Sequence, residues 1–263
     1  MGAELAATCA GERFWVSSGR SPATARRANA AALRSCESLE ELTASCPIIV
    51  SVCPPDAAED VAADVAATGF GGIYVDANAI APATARRIGE RFERFVDGGI
   101  IGPPPAVAGT TRLYLSGENA SEVARPWDDS LLEVRIVEGG AGAASAVKVC
   151  FAAWTKGSAA LLLAIRALAE SEDVTDAIVG EWKTSMPDLI ARAEHTAKAV
   201  SPKAWRFAGE MEEIAAAFRA NNLPSGFHGA AAELYRTLAE FKDRSPGPSL
   251  DEVLDVLRDG TKD

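Results

Sequence analysis

The chain has 263 residues, of which 48% are hydrophobic and 6% aromatic, and its formal net charge at pH 7 is −11. This length fits one large domain or two modest ones, and the apolar content suffices for a core. The acidic balance argues against a nucleic-acid-binding protein, whose surface must be basic to meet phosphates.

The start of the chain has neither the basic residues nor the long apolar stretch of a secretory signal, so we expect a cytoplasmic protein. The most apolar window, 146–169, contains Lys148, Lys156 and Arg166. Three charges in one window favour a buried helix over a membrane span. We therefore expect neither membrane nor nucleic acid as a partner.

The cysteines and histidines offer no metal site. None of the five cysteines forms a C-x-x-C pair, and the only histidines, His195 and His228, lie far from them in the sequence. No zinc pattern fits this arrangement, and we predict no metal. Reduced, mostly buried thiols are the expected state in the cytoplasm.

Strand and helix patterns alternate through the first 140 residues. Helical patterns cover 22–33, 38–41, 55–68 and 82–94, and strand patterns cover 13–17, 47–52, 72–76, 112–116, 131–137 and a segment from Phe95. Continuous apolar, β-branched runs such as 47–52 are typical of parallel strands buried on both faces. The alternation predicts an α/β domain with a doubly wound parallel sheet.

After Gly142 only helical periodicity remains, interrupted by prolines and glycines. An alanine-rich helix over about 143–170 connects the two patterns. We predict two domains, a Rossmann-like domain over 1–140 and an all-helical domain over 141–263.

The segment Met1-Gly2-Ala3-Glu4-Leu5 is typical of the end of a glycine-rich dinucleotide loop running into its helix. The buried strand and the first two glycines of G-x-G-x-x-G would stand before it. We therefore expect the first strand to be missing and the chain to start at an internal methionine. Gly2 is the predicted cofactor contact, because a pyrophosphate would meet the N-terminus of this helix.

The next strand pattern ends in Ser17-Ser18-Gly19-Arg20-Ser21. An NAD enzyme places an acidic residue there for the ribose hydroxyls, and this segment has none. Arg20 has paired donors that suit a 2′-phosphate, and Ser18 adds a small hydroxyl. The segment favours NADP over NAD, with a solvated arginine after a turn as the alternative.

Four blocks carry a family resemblance: Val50-Ser51-Val52-Cys53-Pro54-Pro55, 75–82, 95–103, and Gly139-Gly140-Ala141-Gly142 followed by Lys148. In this order and at this spacing they resemble the β-hydroxyacid dehydrogenase and 6-phosphogluconate dehydrogenase superfamily. Three further segments, 103–105, 154–157 and 226–228, resemble a less characterised branch with its own C-terminal domain.

The resemblance implies an NAD(P)-dependent oxidoreductase and assigns roles to particular residues. Lys148 is implied as the catalytic residue. The implied cofactor contacts are Val52, Cys53, Pro54 and Asn78, and the implied substrate contacts are Gly99, Ile100, Ile101 and Gly102. For Asn78 an ordinary loop cap is an equal alternative.

The chemistry explains why a lysine suits this position. Hydride transfer from a carbinol carbon needs a base for the hydroxyl proton, and the reverse reaction needs an acid. A lysine performs either role if its pKa is lowered from about 10 by burial or a nearby cation. Without the family blocks, a lysine extending along a buried helix towards water would be the better interpretation of Lys148.

Two departures bear on the substrate. The Ser-Gly-Gly of better-known branches is Ile101-Gly102-Pro103 here, and the asparagine four residues beyond the lysine is Ala152. Both remove polar groups from the region where small hydroxy acids bind. A small hydroxy acid or related carbonyl compound is the first expectation; an imine or ketone reductase and a catalytically inactive cofactor-binding dimer are the alternatives.

The helical half contributes two further candidates and a dimer. Lys156 lies eight residues after Lys148, within about 80° of the same helix face, and could be a second substrate contact or a domain-interface cation. His228 could contact substrate, although a packing role is common for a histidine near a helix start. The resemblance implies a homodimer through the helical domain, with the apolar segment 146–168 as a plausible seam.

Overall fold

The computed structural model describes residues 1–260. They form two compact units, the first spanning Met1–Val149 and the second beginning at Cys150. Each unit is described by itself. The functional division into a cofactor-binding part, 1–140, and a substrate and dimerisation part, 141–263, stays a prediction.

The first unit contains two sheets. Its strands are β1 (Phe14–Val16), β2 (Arg34–Cys36), β3 (Ile48–Ser51), β4 (Ile73–Asp76), β5 (Phe95–Ile101), β6 (Arg112–Ser116) and β7 (Glu133–Ile136). β1 and β2 pair in parallel with each other, and β3 to β7 form a five-stranded sheet in chain order. No ladder joins β1 to β3 within the described residues.

Two features of these sheets differ from the sequence prediction. β5 and β6 pair antiparallel, whereas all other neighbours are parallel. The connection over 102–111 is too short for the crossover that a parallel pair needs. β2 was not predicted, because Arg34-Ser35-Cys36 has no apolar run and only Cys36 is buried.

The helices of the first unit are α1 (Gly2–Ala7), α2 (Pro22–Ala30), α3 (Leu39–Ser45), α4 (Ala58–Ala67), α5 (Pro82–Gly89) and α6 (Ala120–Ala124). The hydroxyls of Ser21 and Ser38 accept from the third residue beyond them and cap α2 and α3. α5 ends five residues before its predicted end. At its last residue, Gly89, a Cβ atom would lie 2.8 Å from the ring of Phe95.

The core of the first unit lies on both faces of the five-stranded sheet. Ile73 and Val75 belong to one apolar cluster, while Tyr74 between them belongs to the other. All four residues of β4 are buried. This burial on two faces matches the continuous apolar runs of the sequence.

The long helix α7 (Ala143–Ser171) starts in the first unit and continues into the second. The second unit then has α8 (Thr175–Ser185), α9 (Asp188–Val200), α10 (Ala204–Ala220), α11 (Gly226–Thr237) and α12 (Leu250–Asp259). No strand occurs among its described residues, as the sequence predicted. Leu162, Trp182 and Ala193 form an apolar cluster between helices.

Within residues 1–260, α7 is the one helix long and apolar enough to cross a membrane by length and composition. Its most apolar window has a mean hydropathy of 1.3, and 39% of that window is buried. Core helices of soluble proteins pass the same test, so this is weak evidence for a span. Cytoplasmic localisation stays a prediction.

Candidate active site

The carboxyl ends of the parallel strands carry the predicted cofactor residues. Ser51 of β3 pairs with Asp76 of β4, so Cys53 and Asn78 leave the sheet side by side. Gly2 begins α1 beside Val52, and a Cβ on Gly2 would lie 3.5 Å from the Val52 Cβ. This is an ordinary packing distance, so the first turn of α1 tolerates a side chain at that point.

Arg20 and Ser18 are exposed in the turn after β1. Arg20 makes no ion pair with any described residue. Burial raises the pKa of the Cys53 thiol, and the charge of Arg20 is among the influences that lower it. Two predicted cofactor residues therefore lie within electrostatic range of each other, with an unpaired guanidinium available for an anion.

Asn78 is buried and hydrogen-bonded at every polar atom of its side chain. Its Oδ1 accepts from Cys53 N at 2.6 Å, and its Nδ2 donates to Ser51 Oγ at 3.1 Å and to Asp76 Oδ2 at 2.9 Å. The bonds join the ends of β3 and β4. Both N–H groups of the amide are therefore in use, and a cofactor group could contact it only as a donor to the second lone pair of Oδ1.

Asp76 is fully buried below this amide. Its Oδ1 accepts from the backbone N–H of Asn78 at 3.0 Å. Burial raises the pKa of Asp76 to about 7, and the two hydrogen bonds from Asn78 act against that rise. The carboxyl therefore titrates near neutral pH.

The predicted substrate segment forms the second half of β5. β4 pairs with β5 only up to Asp97, so Gly98 to Ile101 have a strand neighbour on one side only. A Cβ on Gly99 would lie 2.8 Å from the Ala144 carbonyl oxygen and 3.1 Å from Lys148 Cβ. Glycine thus lets α7 approach the backbone of β5 closely.

Gly102 ends the segment with a φ of +122°, and a Cβ there would be 2.2 Å from the Thr110 carbonyl oxygen. An L side chain rarely adopts this conformation, so the turn after β5 requires glycine.

Lys148 lies in the second turn of α7 and is half-buried. Its Nζ donates to the carbonyl oxygen of Ile100 at 2.6 Å. The ammonium group therefore lies on the half of β5 that β4 leaves uncovered. A lysine held against a backbone segment, rather than extended into water, is positioned for contact with a small molecule bound there.

Asp97 and Ser145 are functional candidates that the sequence analysis missed. The Asp97 carboxylate is fully buried and accepts from the backbone N–H groups of Gly142 and Ser145 at 3.0 and 2.9 Å, and from Ser145 Oγ at 2.5 Å. Burial raises the pKa of Asp97, and the bonds from Ser145, Ser116 and Gly142 oppose the rise. An aspartate inside an otherwise apolar strand pattern was the available signal.

The second unit holds the other two predicted contacts. Lys156 forms an ion pair with Glu210, each side chain being 14% exposed, and its Nζ lies 4.5 Å from the centroid of the Phe207 ring. His228 is 6% exposed. Burial lowers its pKa, and its Nδ1 has no hydrogen-bond partner among the described residues.

Gly157, the residue after Lys156, lies against His228. A Cβ on Gly157 would lie 3.7 Å from His228 Nδ1. The neutral imidazole packs against Phe218, with ring centroids 4.3 Å apart. Within residues 1–260 no group of three or more histidine, cysteine, aspartate or glutamate side chains could hold a metal ion.

Comparisons of sequence add two relatives without an established activity. Residues 169–238 match the model of a domain of unknown function, DUF1932. An uncharacterized 28.5 kDa protein in the 7S RNA 5′ region of Methanothermus fervidus is 28% identical over 163 residues. The match covers 61% of this chain and 63% of that protein.

Solved structures are similar over nearly the whole chain. One of them is the conserved protein MTH1747, which has unknown function and is described as structurally similar to 3-hydroxyacid dehydrogenases. It is 25% identical to this chain with a TM-score of 0.67, and the match covers 90% of this chain and 94% of MTH1747. The 3-hydroxyisobutyrate dehydrogenase of Mycobacterium tuberculosis, with L-serine, is 19% identical with a TM-score of 0.69, over 98% and 96%.

The chain has the fold of the 3-hydroxyacid dehydrogenase superfamily. The resemblance inferred from the four sequence blocks is confirmed, and so is the α/β domain followed by helices. An imine reductase from Myxococcus stipitatus in complex with NADP⁺ also shares the fold, at 17% identity and a TM-score of 0.54, over 97% of this chain and 94% of its own. The residue roles remain predictions.

Proposed function

We propose that the chain is an NADP-dependent oxidoreductase that transfers a hydride between nicotinamide and a small hydroxy acid or related carbonyl compound. The observation that carries this proposal is the placement of Lys148. Its ammonium group is held on the uncovered half of β5, 2.6 Å from the Ile100 oxygen, over a glycine backbone with no room for a side chain.

Lys148 is the proposed general acid and base. A half-buried amine next to a backbone segment that lacks a strand neighbour on one side can take a proton from a hydroxyl group or return it to a carbonyl oxygen. The substrate's carboxylate or other polar group would bind the backbone between Gly99 and Gly102. The predicted substrate contacts of the second unit, Lys156 and His228, stay predictions.

The cofactor assignment rests on the strand ends. The exposed guanidinium of Arg20, without an ion pair in the described chain, suits a 2′-phosphate, and Ser18 lies two residues before it. Gly2 and 52–54 would border the rest of the dinucleotide. NADP would supply the hydride acceptor or donor, and NAD is the weaker candidate. Dinucleotides in the superfamily's fold bind at the same carboxyl ends of strands.

A related imine or ketone reductase is the second candidate. Ala152, where better-known branches have asparagine, gives no polar atom for a hydroxy acid. The NADP⁺-bound imine reductase with this fold favours the same alternative. In that case Lys148 would only orient the substrate.

We also propose a homodimer through α7. Its exposed apolar side chains recur at helical spacing, and a continuous stripe of this kind is typical of a helix-packing surface. The stripe consists of Phe151, Trp154, Leu161, Ile165 and Leu168, all at least 37% exposed.

A substrate panel tests the proposal. Carbonyl, imine and hydroxy acid compounds would be offered with NADPH or NADP⁺, and absorbance of the reduced nicotinamide would be followed. Lys148→Met should lower turnover by at least about 10²-fold, since general acid–base catalysis contributes that much. Lys148→Arg should not rescue it, because a guanidinium stays protonated.

Cofactor affinity is the control in both variants and should not change. Turnover of Lys148→Met within a few-fold of the parent would remove Lys148 from the mechanism. Turnover confined to imines, with a small effect of Lys148→Met, would establish the second candidate. Cofactor binding without turnover of any compound would establish an inactive cofactor-binding dimer.

A further inference from the structure

β5 holds the start of α7 at two points three residues apart. Asp97 binds the first turn of the helix through Gly142 N and Ser145 N, and Ile100 O receives the Lys148 ammonium. Ser145 and Lys148 are also three residues apart, so they lie on neighbouring positions of one helix face. β5 therefore contacts one face of α7 at two positions.

Both carboxylate oxygens of Asp97 take part in the first of these contacts. The Asp97 carboxylate accepts three hydrogen bonds from Gly142 and Ser145, and Ser116 Oγ lies 3.3 Å from its Oδ2. The same Ser116 hydroxyl accepts from Ala144 N at 3.1 Å. Hydrogen bonds to a buried carboxylate are stronger than neutral ones, and a negative charge suits the start of a helix.

The second contact depends on the first. Gly99 has no space for a side chain because the Ala144 carbonyl and Lys148 Cβ press against it. If the first turn of α7 moved away from β5, Lys148 would leave Ile100 and the uncovered half of the strand. A tertiary contact that fixes backbone and side chain together preorganises a site.

We propose that Asp97 is the positioning residue for Lys148. By holding Gly142 and Ser145, it fixes the helix turn from which Lys148 reaches the Ile100 carbonyl. The Asp97 carboxylate is fully buried and its hydrogen bonds go to the protein, so its expected effect on catalysis runs through Lys148. The inference deepens the proposed function and rests on it for its catalytic meaning, but the placement of Lys148 can be tested without any substrate.

The first experiment measures how fast Lys148 reacts with acetic anhydride in the folded full chain, by mass spectrometry of its peptide across a pH series. The exposed Lys183 in the same sample is the reference. In Asp97→Asn we expect Lys148 to react about tenfold faster relative to Lys183, as for the loss of a charge-assisted hydrogen bond.

Asp76→Asn is the matched control. Asp76 is equally buried and pairs with Asp97 across β4 and β5, but its hydrogen bonds go to Asn78 and none of them reaches α7. Its variant should leave the Lys148 reaction rate within twofold of the parent. If Asp97→Asn has a lower melting temperature but unchanged Lys148 reactivity, Asp97 only stabilises the start of α7, and the proposal is wrong.

A second pair of variants serves if Asp97→Asn does not fold. Ser145→Ala removes one of the three bonds and should raise Lys148 reactivity about twofold to threefold. Ser145→Thr keeps the hydroxyl and should restore the parent rate. Equal reactivity in both would contradict the proposal.

Turnover separates this inference from the proposed function. If Lys148→Met is inactive, Asp97→Asn should lower kcat and leave the KM for NADPH unchanged. If Lys148→Met keeps full turnover, the proposed function is wrong, while a faster labelling of Lys148 in Asp97→Asn would still establish the positioning contact.

Discussion

Asp76 should make the first unit less stable as pH rises, which is the reverse of the usual behaviour of a carboxyl group. Burial raises its pKa from 3.8 to about 7. Between these values the folded chain binds more protons than the unfolded chain, so the free energy of unfolding falls as pH increases. The stabilisation is complete below the unfolded pKa and is lost by the time pH passes the folded one.

The size of the effect follows from the pKa difference. Each unit corresponds to about 1.4 kcal/mol, so the linkage for this one group removes about 3 kcal/mol between pH 4.5 and pH 7. Domains are stable by only about 5–15 kcal/mol, so the loss is measurable. Asp76→Asn removes the titration, and it is about 1 kcal/mol less stable than the parent with its carboxyl protonated, because one hydrogen bond with Asn78 loses its acceptor.

Amide hydrogen exchange of β4, Ile73 to Asp76, reports the free energy of opening in this unit. The free energy of opening of the parent, relative to that of Asp76→Asn, should fall by about 3 kcal/mol from pH 4.5 to pH 7, so the variant should be the more stable form at neutral pH. A flat difference would show that the pKa is not raised. A parent that gains stability relative to the variant would show that the bonds from Asn78 outweigh burial.

Two further predictions concern the cofactor and the assembly. Arg20→Ala should reduce the preference for NADPH over NADH about tenfold in calorimetric affinities, since a charge-assisted contact with a phosphate is lost. Arg26 is exposed on α2, and Arg26→Ala should leave the preference for NADPH unchanged. Equal affinities of the parent for NADPH and NADH would refute the NADP assignment. The double variant Leu161→Glu, Leu168→Glu should sediment as a monomer, because both side chains lie on the exposed stripe of α7. A monomeric parent would disprove the proposed homodimer.

The sequence predicts most of the first unit because its signals are local. The buried run 47–52, the glycines around Gly99 and the apolar helix from 143 each determine a conformation over neighbouring residues. β3 and α7 were accordingly predicted within one or two residues of their observed bounds. Lys148 could be singled out because it follows a glycine turn at a spacing typical of the family.

The missed features depend on contacts between distant residues. Asp97 and Ser145 are 48 positions apart, and nothing in either neighbourhood indicates that they bind. The hydrogen bonding of the Asn78 side chain likewise depends on the ends of two strands, β3 and β4, lying side by side. The antiparallel pairing of β6 could have been anticipated, because ten residues are too few for a crossover.

The five-stranded sheet is protected at one edge and not at the other. β7 carries Glu133 and Arg135, the kind of charged side chains that keep foreign strands from adding to an edge. β3 consists of Ile48-Ile49-Val50-Ser51 and has no charge. Edge-to-edge association of this chain should therefore involve β3 rather than β7. Because every residue of β3 is buried or half-buried, a charge that opposes this association has to be placed beside the strand and not in it.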